Sequence, residues 1–236
     1  MTKETNTLIK RNLADLFRAL DYLNISDLTA NHASGIASDS KSFFINQHKH
    51  LFSEINTRNL VNISIKKPLS SKLKKVNKAG YYIHKHLHLS EAKPKYILHT
   101  HSHNAVAISC LKSGFKTELN QSSMRFYDSV NYFDYSGMVI DDIIGKDLAR
   151  QTNKNTKLII LKNHGVIIQA RSIAELFHLT FHFEKCVQIQ LMLENIPSNK
   201  LNKVNKKVIT TTNKQHESFG PVGLMSWQAI KRVIKN

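Results

Sequence analysis

Cysteine is nearly missing from this chain: Cys110 and Cys186 are its two copies in 236 residues. They lie far apart, each inside an apolar segment, so no disulfide framework underlies the fold, and both read as buried free thiols of a reducing compartment. Long apolar runs are missing as well. None approaches the roughly 18 residues of a membrane span, the first six residues are polar, and the expectation is a soluble, cytoplasmic protein with no membrane span. Acidic residues are scarce, 17 against 34 Lys and Arg, for a formal charge of +17. Such a surface attracts polyanions in a salt-dependent way. Zinc-finger cysteines, an aromatic RNA-binding signature and a recognition-helix pattern are all absent, so the scattered lysines read as solvated surface and no specific nucleic-acid partner is expected. There is no internal repeat.

What is present suits a globular protein of one large domain or two small ones: 41% of residues are hydrophobic and 22% charged. Leu8, Leu13, Leu16, Phe17, Leu20 and Leu23 keep a helical period, which predicts an amphipathic helix over Thr7 to Leu23. Strands are expected at Asn31 to Ala37 and Ser42 to Asn46, joined as a hairpin, and at Leu60 to Ile65. Residues 66–79 read as an exposed loop before a helix from about Tyr81 to Leu89 that carries His84, His86 and His88, mostly as helix surface. Ala105 to Leu111 and Asp141 to Gln151 read as short helices, Met124 to Tyr135 is ambiguous, and Lys157 to Leu161 is a buried strand. Ser172 and Glu175 form a capping box for a helix running to about Asn195. Pro197 ends it, a polar, lysine-rich and mobile connection over Ser198 to Lys214 follows, and a last short helix docks through Trp227, Ile230 and Val233. The domain reading is therefore residues 1–196 as the main body, with 197–236 as an extension that joins the same fold or a subunit contact.

One stretch stands out. Tyr96 to His103 is an apolar run ending in His99-Thr100-His101-Ser102-His103, and in an extended strand His99 and His101 share a face. Imidazole is the commonest metal ligand and a catalytic zinc site takes three protein ligands, so a third is needed. With 13 histidines in the chain, spacing alone leaves a metal pair and a surface pair equally open. Farther on, Lys162-Asn163-His164-Gly165 separates two strand-like runs with residues that tolerate a tight turn, so His164 projects from a rigid position.

The order of these pieces, His99-Thr100-His101 at a strand end, Asn163-His164-Gly165 at a turn, then a long helix with Glu184 and Cys186, resembles the class II aldolase and adducin family. Leu13-Ala14-Asp15-Leu16-Phe17-Arg18, Asn31-His32-Ala33-Ser34, Phe52-Ser53-Glu54-Ile55, Asn77-Lys78-Ala79-Gly80 with His84, and Gly223 to Trp227 extend the likeness over nearly the whole chain. The resemblance implies a three-layer α/β/α fold with a mixed, mostly antiparallel central sheet, a homotetramer, and one zinc ion per subunit held by His99, His101 and His164. It also implies Lewis-acid cleavage of a small hydroxy-carbonyl substrate, a sugar phosphate among the candidates.

Departures from the family pattern are equally informative. Aldolases of the family carry a glutamate as acid/base where this chain has Gly80, and glycine transfers no proton. His103 and His84 are the candidate substitutes, with His88 behind them, although His103 reads first as a residue near the ligands or facing solvent. The Gly-Asn pair of sugar-phosphate members is matched by Asn31-His32. Ser34, Lys49 and Lys78 remain as candidate substrate-binding residues. Asn77 to Gly80 and Tyr132-Phe133-Asp134-Tyr135-Ser136-Gly137 look more like the adducin-type branch, of which this chain reads as the head module alone. The alternative function is thus a non-catalytic interaction module that keeps the metal site.

Overall fold

A computed structural model of the chain describes residues 4–66, 74–218 and 221–234. Residues 67–73, half of the expected 66–79 loop, lie outside the described residues. The described chain builds a seven-stranded sheet in the order β3-β2-β1-β4-β7-β6-β5. Its strands are β1 (His32–Ile36), β2 (Ser42–Asn46), β3 (Leu60–Ser64), β4 (Tyr96–Thr100), β5 (Val130–Phe133), β6 (Leu158–Leu161) and β7 (Gly165–Ala170). Only β5 and β6 pair in parallel; every other neighbouring pair is antiparallel. This is the mixed, mostly antiparallel α/β sheet that the family resemblance implies.

Helices cover both faces. On one side α1 (Asn6–Tyr22), α3 (His103–Cys110), α5 (Ile173–Leu193) and α7 (Leu224–Val233) bury Leu13, Phe17, Ile108, Phe177, Phe183 and Trp227 against Leu98, Val166 and Ile168 of the sheet. On the other, α2 (Lys78–Leu89) and α4 (Asp142–Arg150) bury Ile83, Leu87 and Leu148 against Phe43, Ile97, Ile159 and Ile167. Burying such a side chain fully is worth roughly 1.5–3 kcal/mol. Strands buried on both faces must be apolar throughout, which explains the unbroken Leu158-Ile159-Ile160-Leu161 run in β6, where no alternation is seen.

Local chemistry sets the helix ends. Thr5 caps α1 by accepting from the Leu8 amide at 3.2 Å. Asn77 accepts from the Gly80 amide at 3.1 Å and starts α2 three residues earlier than the apolar pattern indicates. Ser172 accepts from the Glu175 amide at 3.1 Å while the Glu175 carboxylate accepts from the Arg171 amide at 2.8 Å.

Three expectations are corrected. Cys110 is exposed, since it ends a short helix whose inward positions are Ala105, Ile108 and Ser109; Cys186 is buried as expected. His84, His86 and His88 are not helix surface: all three are buried, because α2 is enclosed between the sheet and α4. The polar connection before residue 214 contains a helix, α6 (Lys206–Ser218). Ile209 is its one buried apolar residue, so no stripe announces it. Tertiary contacts hold it, with Asn213 donating to the Met124 carbonyl at 2.9 Å and Lys157 paired with Glu217. The C-terminal residues pack on the main body through Trp227, whose ring centroid lies 5.6 Å from that of Phe177.

Candidate metal centre

His99 sits one residue before the end of β4, next to β7 on one side and β1 on the other. Buried at 2% exposure, it has a ring with one outlet for its Nδ1 proton, the Val166 carbonyl at 2.9 Å. A carbonyl accepts only, so Nε2 of the neutral ring carries the lone pair. His101 follows the strand. Its backbone amide donates to Asn31 Oδ1 at 2.9 Å and its Nδ1 meets Asp27 Oδ2 at 3.2 Å, which again leaves Nε2 bare. Asn31 also reaches Thr100 Oγ1 at 3.4 Å, tying the start of β1 to the end of β4.

His164 arrives from the β6–β7 turn. Asn163 takes φ of 56°, a left-handed conformation that asparagine tolerates, and its amide donates to the Ser109 carbonyl at 3.0 Å. The His164 amide donates to Ser109 Oγ at 3.1 Å. Gly165 then passes so close to β4 that a Cβ would stand 2.6 Å from the Thr100 carbonyl oxygen and 2.9 Å from the His101 ring. Only glycine allows this approach.

These supports bring three Nε2 atoms together: His101 Nε2 lies 2.7 Å from that of His99 and 2.9 Å from that of His164. Two of the three have their proton committed elsewhere, so lone pairs face one another at hydrogen-bond distance, an arrangement that a cation relieves. The three side chains offer ligand atoms all within 4.8 Å of one another. Burial, and then the neighbouring His101, lower the His164 pKa to about 4, while burial holds His99 well below the usual imidazole range. Neutral imidazole is the form that ligates.

Glu184 of α5 braces the chain beyond the centre. It accepts from Ser102 Oγ at 2.5 Å and from Asn104 Nδ2 at 2.9 Å, and burial raises its pKa. It holds the first turn of α3 against α5.

The other sequence candidates stand elsewhere. His103 is exposed at the start of α3. His84 is fully buried with both ring nitrogens engaged, Nε2 with His32 Nδ1 at 2.7 Å and Nδ1 with Ser34 Oγ at 2.5 Å. Ser34, fully buried, also meets His88 Nε2 at 2.8 Å, so its hydroxyl belongs to an inner histidine network. Lys49 and Lys78 are exposed. Two residues close to the ligands escaped sequence reasoning. Asp27, the partner of His101, has no spacing signature, and His32, directly opposite His99 in the β1–β4 register, stood out only as a departure from the phosphate cradle.

The three-layer α/β/α body thus gathers, at one end of its sheet, three imidazoles that could hold a metal ion. Residues 11–191 match the model of the Class II Aldolase and Adducin N-terminal domain, and the chain belongs to that family. An adducin-related protein of Schizosaccharomyces pombe is 30% identical over 240 residues, covering 94% of this chain and 72% of that protein. Mouse alpha-adducin is 26% identical over 188 residues, 78% of this chain but 25% of that protein. Among solved structures, an aldolase II superfamily protein from Pseudomonas syringae superposes with a TM-score of 0.85 at 25% identity, covering 96% of this chain and 92% of that one. An L-fuculose 1-phosphate aldolase from Glaciozyma antarctica shares the fold, with a TM-score of 0.79 at 21% identity and coverage of 96% and 88%.

Proposed function

We propose that this protein is a zinc-dependent lyase of the aldolase type that cleaves a small hydroxy-carbonyl compound, with His99, His101 and His164 as the zinc ligands. The observation that carries this reading is the convergence of the three Nε2 atoms, two of them fixed as lone pairs by Val166 and Asp27. When bound, the metal supplies a Lewis acid beside a carbonyl oxygen. The chain's own residues orient it. The Val166 carbonyl and the Asp27 carboxylate lock two ring tautomers, Asn31 clamps the His101 amide, and the Ser109 contacts hold the His164 turn.

The likeness in fold to an L-fuculose 1-phosphate aldolase supports a sugar-phosphate substrate class, for which exposed Lys49 and Lys78 offer positive charge. A homotetramer, as in the expectation from sequence, is supported by exposed Tyr135, Met138, Ile140 and Ile143 beyond β5, a cluster that a second copy would cover. Light scattering tests it: a monomer at micromolar concentration contradicts the assembly. Among the described residues no helix is long and apolar enough to cross a membrane.

The reaction is tested by a substrate panel of L-fuculose 1-phosphate and related sugar phosphates, with His164→Ala as the control. Turnover that needs His164 is expected; turnover equal to the control contradicts a lyase. Gly80, where the family's aldolases have glutamate, and the 30% identical adducin-related relative favour a second reading, a non-catalytic interaction module that keeps its metal. Stoichiometric zinc without turnover on any panel member is the outcome that reading expects.

A further inference from the structure

The three imidazoles gather where β4 ends and β7 begins; the opposite end of β7 opens on a cavity of about 390 Å³. Strand β7 runs from Gly165, beside the His164 turn, to Ala170 at the cavity, which sets roughly 17 Å of extended chain between the two places. A cavity of that volume suits a small metabolite. Gln169 and Arg171 line it from the end of β7, and Thr210, Asn213 and Lys214 line it from α6.

Charge in the lining is unbalanced. Lys157 is paired with Glu217, and the Glu175 carboxylate is engaged by the Arg171 backbone amide at 2.8 Å. That leaves Lys154, Arg171 and Lys214, all exposed lining residues, none in an ion pair among the described residues, against Asp128 as the one further acid. Three cations facing one carboxylate favour an anionic occupant.

Gln169 adds a second requirement. At 2% exposure it donates through Nε2 to the Thr156 carbonyl at 2.8 Å. A carbonyl accepts only, so the amide nitrogen faces Thr156 and Oε1 is turned away from it. Oε1 is buried and has no partner among the described residues. The neighbouring buried hydroxyls of the lining are satisfied, Thr156 Oγ1 by Asn131 Oδ1 at 2.8 Å and Ser129 Oγ by the Phe126 carbonyl at 2.9 Å. An unpaired buried acceptor lowers stability, and a donor brought in through the cavity would remove that penalty.

We propose that this cavity is a second binding site, for a small phosphate monoester that also carries a hydroxyl. The phosphate sits among Lys154, Arg171 and Lys214, and the hydroxyl donates to Gln169 Oε1. A phosphate monoester brings close to two negative charges and three acceptor oxygens, enough for three cations, whereas a carboxylate brings one charge and two oxygens. The site lies apart from the metal centre and does not depend on the lyase reading.

Calorimetric titration of the full-length protein, treated with chelator, tests this with glycerol 3-phosphate and with methyl phosphate, which lacks the hydroxyls. His164→Ala protein is titrated alongside to take the metal centre out of play. Glycerol 3-phosphate is expected to bind saturably to both proteins, about 2- to 10-fold more tightly than methyl phosphate. Arg171→Ala and Lys214→Ala, both at exposed positions, should each weaken the two ligands about tenfold. Gln169→Met should bring glycerol 3-phosphate down to the affinity of methyl phosphate. The proposal is overturned by any of four results: no saturable binding to the wild type, binding lost in His164→Ala, affinities unmoved by Arg171→Ala and Lys214→Ala, or equal affinity of the wild type for the two phosphates.

Discussion

The imidazole of His32 rests on the bare Cα of Gly80, with room for nothing between them: a Cβ at residue 80 would fall 2.9 Å from the ring. Glycine this early in α2 has little to recommend it for helix stability, since alanine is the better helix former by about 1 kcal/mol. Gly80→Ala is nevertheless expected to destabilise, by about 1–3 kcal/mol, because the buried ring has nowhere to go. In a His32→Ala background the same change should become neutral or stabilising. Urea unfolding of the four proteins measures the coupling, and additive effects would mean that the contact is unimportant.

Asp27 and His101 make a second such pair. The carboxylate fixes the tautomer of His101, one of the three proposed zinc ligands. Asp27→Ala should weaken zinc binding about 10- to 100-fold, as carboxylate partners of ligating histidines do elsewhere. A chelator competition titration reads this directly, and an unchanged dissociation constant contradicts the pairing.

The buried histidines also make stability depend on pH. Burial lowers His88 to about 4 in the folded protein, against about 6.5 in an unfolded chain. The unfolded state therefore binds the extra proton first, and the stability contributed by neutral His88 is complete above pH 6.5 and drains away as pH falls toward 4. The gap in unfolding free energy between wild type and His88→Gln should narrow across that window. A gap constant from pH 7 to pH 4 would show that His88 is not held neutral.

Much of this was legible in the residues. The alternation of His99 and His101 and the turn chemistry around His164 are local, and each is visible within a few positions. The sheet face was readable for the same reason, in the apolar runs of β4, β6 and β7. The position of His32 beside His99 was not. It depends on which strand lies beside β4 and in what register, and His32↔His99 joins residues far apart in sequence. The burial of His84 and His88 depends likewise on α2 laying that face on β1 and β2, where Ser34 and Phe43 meet the two rings, and helix α6 exists through contacts with the segment around Met124 that its polar sequence does not advertise. Long-range packing decides all three.

The central claim is that three imidazoles, gathered with their Nε2 atoms inward, hold a metal. Elemental analysis of protein purified without chelator, beside His164→Ala, tests it most directly. One zinc per chain in the wild type and little in the variant is the predicted result; a wild type as empty as the variant, and unable to take up added zinc, would contradict it.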